Sequence, residues 1–170
     1  STATSVITLG VQIDDALDSS NPDDVLAWID NLVQQANAIY QNSGVNVVFS
    51  VVGVRKFEPG AQLGTFEMLS VVSCGFPSCR HGSALNSDVD SWRESVGADF
   101  IVQLVGATND GYCGMANYPQ SYEWDPNRLR YFTHSVSGES SGNGGKCPSN
   151  VVAHEMGHNW GMSHTNSVNS

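Results

Sequence analysis

Basic residues are scarce in this chain. Seven Lys and Arg stand against seventeen Asp and Glu in 170 residues, a formal net charge of -10, and such a surface repels phosphate backbones and anionic lipid headgroups. Nucleic acid is therefore not an expected partner. No run of about 18 apolar residues occurs, so no helical membrane span or membrane insertion is expected. No Asn-x-Ser/Thr sequon with a non-proline middle residue is present, and glycosylation signals give no pointer to compartment. There is no internal repeat and no linker that would divide the chain. No two cysteines have the CxxC spacing of a zinc ribbon or a thioredoxin-type redox site. The opening residues, STATSVITLG, carry neither an initiator Met nor a basic-then-apolar signal pattern and read as a processed or trimmed start.

What is present suits one domain. At 170 residues and 40% hydrophobic, the chain can bury a sizeable core but is short for two domains. The acidic cluster DDALDSSNPDD lacks the Asp/Asn and Gly spacing of an EF-hand loop; it reads as a solvated surface, with calcium left open. The four cysteines, Cys74, Cys79, Cys113 and Cys147, are an even number, which favours two disulfides in a secreted protein. Proximity pairs Cys74 with Cys79, and elimination then pairs Cys113 with Cys147, although four cysteines allow three pairings.

The order of elements predicts an α/β fold. SVITLGVQID alternates as a strand does. NPDDVLAWIDNLVQQANAIYQNSG places Val25, Ile29, Leu32, Ala36 and Ile39 or Tyr40 at helical spacing, with Pro22 at the start and Gly44 at the end. VNVVFSVVGVRKF is apolar on both alternating faces, as a central strand would be. A looser segment with Cys74 and Cys79 follows. NSDVDSWRESVG then offers Ser87 as N-cap, with Val89, Trp92 and Val96 on one face, and ADFIVQLVG reads as a buried strand. Strands alternating with helices imply a layered, mostly parallel sheet. YCGMANYPQ, closed by a proline, suits an edge strand, LRYFTHSVS reads as one more strand, and GESSGNGGKCPSN is a Gly/Ser-rich loop.

Immediately after that loop comes HEMGHNWGMSH. Residues four apart lie on one face of a helix, so His154 and His158 can direct imidazole nitrogens at one ion. Glu155 would project beside that ion, placed to take a proton from water as a general base. Gly161 can adopt positive φ, end the helix and bring His164 round as a third ligand. The pattern H-E-x-x-H-x-x-G-x-x-H fixes five positions, which distinguishes it from a chance pair of histidines. His81 and His134 stand alone and read as surface or satisfied polar residues, and Met156 and Trp160 as core or wall residues.

This motif resembles that of the metzincin zinc proteases. Asn159, following the second His, makes it similar to the adamalysin (reprolysin) branch, and the order of upstream segments is similar to bacterial secreted adamalysin-like enzymes, including the peptidyl-Asp metalloendopeptidase type. The resemblance implies a zincin-like mixed sheet, mostly parallel and twisted, with an antiparallel edge strand, flanking helices and a zinc-binding helix near the C-terminus. It also implies a single catalytic Zn2+, and an extended peptide or protein substrate lying along Gly114, Met115, Ala116, Asn117 and Tyr118 as an added strand. A secreted, monomeric zinc endopeptidase is the expected function. Two features depart from the family. Thr165 stands where adamalysins have Asp, and none of Met68, Met115, Met156 and Met162 lies downstream of His164 to form a methionine turn. Residues 1–170 are thus expected to form one metzincin-like domain lacking most of its C-terminal subdomain. This leaves open a remnant that acts as a zinc-containing binding module, or a processed enzyme with a cleaved C-terminal fragment.

Overall fold

A computed structural model describes residues 3–18, 22–58, 63–73, 83–119 and 132–164. The chain runs β1 (Ser5–Ile13), α1 (Asp15–Asp18), α2 (Pro22–Asn42), β2 (Val47–Lys56), α3 (Thr65–Val72), α4 (Ser83–Val96), β3 (Phe100–Ala107), β4 (Gly114–Ala116), β5 (His134–Ser140) and α5 (Val151–Asn159). The five strands form one sheet in the order β2-β1-β3-β5-β4. β1 pairs in parallel with β2 and β3, β3 with β5, and only β4 runs antiparallel, pairing Gly114, Met115 and Ala116 with Ser137, Val136 and Ser135 of β5. This is the mixed, mostly parallel sheet with an antiparallel edge that a zincin-like fold requires. No described helix is long and apolar enough to cross a membrane.

Each face of the sheet carries its own core because side chains alternate along a strand. On one face, Leu9, Val11 and Ile13 of β1 and Phe100, Val102 and Leu104 of β3 pack against Val25, Ile29, Leu32, Val33, Ala36 and Tyr40 of α2 and Val151, Val152, Ala153 and Met156 of α5. On the other face, Ile101, Val105 and Val136 meet Met68, Leu69, Val71 and Val72 of α3 and Val89 of α4. β3 is buried on both sides, as its apolar run, interrupted by the buried Gln103, predicts. Tyr40, rather than Ile39, completes the buried stripe of α2: Tyr40 is buried and Ile39 exposed. Gly44, at φ 76°, turns the chain after that helix.

Three expectations change. β2 is an edge strand, not a central one; the register skips Val52 opposite Leu9 and Gly10, and Val52 and Val54 are exposed. β-branched residues favour any pleated strand, so a valine-rich run does not separate centre from edge. The segment after β2 contains a helix, α3, with Gly64 N–H donating to Glu67 Oε2 at 2.9 Å across its first turn. α4 starts at Ser83, a turn before Ser87, because Ala84 and Leu85 are good helix formers and extend it backwards. Its buried Val89 and half-buried Trp92 and Val96 still face inward as expected.

Cys113 and Cys147 form a disulfide across a sequence separation of 34. The other two cysteines, with His81, lie outside the described residues. Closing a loop of that length restricts the unfolded chain, so replacing both Cys113 and Cys147 with Ser should cost about 3–4 kcal/mol. Urea denaturation checks this: the midpoint should fall well below that of the parent protein, and an unchanged midpoint would show that the bond is energetically idle.

Candidate metal centre and active-site cleft

α5 enters from the Gly/Ser-rich loop and packs Val151, Val152, Ala153 and Met156 into the core. With that face buried, His154 and His158 point outward. Tyr40 holds the helix from below, its hydroxyl donating to Ala153 O at 3.0 Å. At the other end Trp160 sits among Tyr40, Phe49 and Phe100, with ring centroids 5.1, 5.6 and 6.2 Å away. The helix ends as the sequence predicts. Gly161 has φ 81°, its N–H donates to His158 O at 2.8 Å, and Met162 N–H donates to Gly157 O at 3.0 Å. This pair of bonds is a Schellman closure, for which glycine is the favoured residue.

The reversal brings His164 back over the helix. Its Nε2 lies 3.0 Å from His154 Nε2 and 3.1 Å from His158 Nε2, which are themselves 3.1 Å apart. Three such nitrogens cannot satisfy one another, because each neutral Nε2 is either donor or acceptor and at least one pair must meet like with like. A cation that takes all three lone pairs resolves the conflict. A tetrahedral ion of zinc's size, about 2.0–2.1 Å from each nitrogen, needs them about 3.3–3.4 Å apart, within a few tenths of an ångström of what is found. His158 Nδ1 lies 2.7 Å from Met162 O, so its proton belongs there and Nε2 is left as the free base. Burial, and then the neighbouring His158 and His164, lower the pKa of His154, which favours the neutral, ligating form. The three histidines are thus able to hold a metal ion.

Glu155 projects from α5 toward Gly114 of β4. It is 4% exposed, and burial pushes its carboxyl up to about 7. A carboxyl in that range exchanges protons near neutrality, as a general base must. A cleft of about 800 Å³ runs between β4 and α5, lined by Tyr112, Cys113, Gly114, Met115, Ala116 and Tyr118 on one side and by Pro148, Asn150, Val151, Glu155 and the three histidines on the other. Of the five residues expected to meet substrate, Gly114, Met115, Ala116 and Tyr118 line this cleft. Asn117 is not in the lining; its side chain donates to Ser73 Oγ at 2.6 Å.

Two arrangements had no direct signal in the sequence. Asn159 Nδ2 donates to Asn117 O at 3.0 Å and His134 O at 2.9 Å, tying the end of the metal-binding helix to the end of the edge strand. The motif marked Asn159 as a family feature but did not show what it binds. His134 is not a surface residue: it is 2% exposed, and burial, with Arg93 beside it, lowers its pKa to about 3. It is a neutral structural group on β5 and does not belong to the cluster of His154, His158 and His164.

Residues 26–165 match the model of the Metallo-peptidase family M12B Reprolysin-like. The chain belongs to that family. No curated protein sequence matches it. Among solved structures it is similar to a chain in a chaperone-substrate complex, at 20% identity and TM-score 0.73, covering 99% of this chain and 28% of that one. It is also similar to metalloproteinase-II from Bacteroides fragilis, at 15% identity and TM-score 0.51, covering 96% of this chain and 45% of that one. The present chain therefore spans less than half the length of either. At these identities the likeness establishes the fold alone, and the family match places the chain among the Reprolysin-like sequences.

Proposed function

We propose that this chain is a secreted endopeptidase that uses one zinc ion, held by His154, His158 and His164, to cleave peptide bonds in protein or peptide substrates. The observation that carries the reading is the convergence, in one cleft, of three mutually close Nε2 atoms, a buried carboxyl and an open strand edge. Bound there, zinc would supply Lewis acidity, making water nucleophilic at neutral pH. Glu155 would take the proton as water attacks the peptide carbonyl and would pass it to the departing amine, leaving acid and amine as products. Among the described residues, β4 has β5 on one side and no strand on the other. An extended substrate would add to its free edge by backbone hydrogen bonds, which orient the scissile carbonyl without reading side chains. The disulfide Cys113–Cys147 suits an oxidising, extracellular location.

A metal-holding module without chemistry would have no use for a buried carboxyl on the cleft wall. The test is hydrolysis of a quenched-fluorescent peptide with and without chelator. Cleavage should stop on chelation and return when zinc is restored. Chelator-insensitive cleavage, or none by the zinc-loaded protein, would overturn the proposal.

A further inference from the structure

The floor of the cleft has one unusually close approach. A Cβ at Gly114 would lie 2.7 Å from Glu155 Oε1, 2.8 Å from Glu155 Cγ and 2.9 Å from Val136 O. Separations under about 3 Å lie inside van der Waals contact, so the strand backbone and the carboxylate arm already touch where any other residue would carry a side chain. Gly114 is not in the left-handed region; among the described residues the glycines with positive φ are Gly44, Gly97, Gly144 and Gly161. Its backbone conformation therefore does not call for glycine, and the demand comes from what faces it.

We infer that Gly114 is a positioning residue whose missing side chain sets the place of the Glu155 carboxylate against the edge strand. The inference rests on Glu155 being the base of the proposed reaction. Two fixed elements meet at this contact. β4 is held to β5 by the pairing of Gly114 with Ser137 and Met115 with Val136, and Val136 is fully buried, so the strand cannot easily retreat. α5 is anchored by its core face and by Tyr40, so the helix cannot retreat either. The Glu155 arm is the part freest to give way; the remaining contact, with the backbone at Val136 O, is the mildest of the three at 2.9 Å. A methyl group at 114 would swing the carboxylate out of line, leaving the metal ligands where they are.

Glycine could instead be needed so that a substrate backbone can come close to β4, and the two causes separate kinetically. Displacing the base lowers kcat, whereas blocking the strand edge raises KM. Gly114→Ala should lower kcat by about 100-fold, the scale for moving a reacting group by roughly 1 Å, with KM within about twofold of the parent and zinc content unchanged. In a Glu155→Gln background, which removes the base, Gly114→Ala should cause no further loss. A second readout needs neither metal nor turnover. In zinc-free protein Gly114→Ala should lower the melting temperature, and Glu155→Ala added to it should recover part of that loss by removing the crowded arm.

Parent-like kcat in Gly114→Ala would overturn the inference, as would a raised KM with unchanged kcat. If Gly114→Ala fails to fold, folding of Gly114→Ala/Glu155→Ala would support the inference, and failure of both would overturn it by placing the conflict at Val136 O. Full activity in Glu155→Gln would instead sink the assignment of the base, a different result from any of these.

Discussion

Glu155→Gln should retain zinc and fold as the parent does, yet lose turnover by about a thousand-fold. The amide is nearly isosteric with the carboxyl, and Glu155 is buried on the β4 side of the helix, so the wall of the cleft keeps its shape. What changes is the ability to accept a proton. General bases contribute about 10²–10⁴-fold, and no other carboxylate lines the cleft among the described residues. The neutral amide also relieves the cost of holding a charge in an apolar place, the same burial that pushes the carboxyl up to about 7. The variant should therefore be no less stable than the parent while being nearly inactive. Metal analysis, a melting curve and single-turnover kinetics on one peptide would decide the matter. Parent-rate cleavage would mean that another group takes the proton.

His164→Ala should have an effect at least as large, by a different route. His154 and His158 are fixed by the helix, but His164 reaches them only through the reversal at Gly161. Removing it leaves two ligands, too few for the closed side of a catalytic zinc site. Loss of an outer partner of a ligand already costs 10–100-fold in metal affinity or activity, so losing a ligand itself should weaken retention by more than about 100-fold. The protein should emerge from dialysis largely metal-free and inactive, with its fold intact, because His164 is exposed and beyond the last helix. Equal zinc content in parent and variant after dialysis would exclude His164 as a ligand.

The parts of this site that were legible in the sequence are those whose geometry is local. Histidines four apart share a helix face, and Gly161 three residues later permits the left-handed turn that the structure contains, so the clustering of His154, His158 and His164 follows from spacing. The same holds for α2, whose long apolar stripe has only one sensible face, and for β3, apolar from Phe100 to Val105 except at Gln103. Elimination paired Cys113 with Cys147 correctly, but only given that the other two cysteines pair. Legibility fails where a residue's role depends on something distant in the chain. Val52 and Val54 look like core residues until the order of the described strands puts β2 at the end of the sheet. α3 is too short for its periodicity to stand out, and it is defined by burying Met68, Leu69, Val71 and Val72 against the sheet. Gly114 and Glu155 are 41 residues apart in the numbering, and nothing in either short motif announces that they touch. Asn159 is similar: its carbonyl partners lie on segments that only the sheet order brings together.

The cleft is fastened at both ends. At one end Cys113, beside β4, is bonded to Cys147, just before α5; at the other, Asn159 holds Asn117 O and His134 O. Strand and helix therefore form a closed frame. Such a frame has little freedom to lose when a peptide arrives, so nearly all the ordering entropy of association falls on the peptide. Segments that are already extended and loosely held in their parent protein would pay least of it, and folded regions would pay most. Discrimination between targets would then begin with how readily a stretch of polypeptide straightens, before any of its side chains is tested.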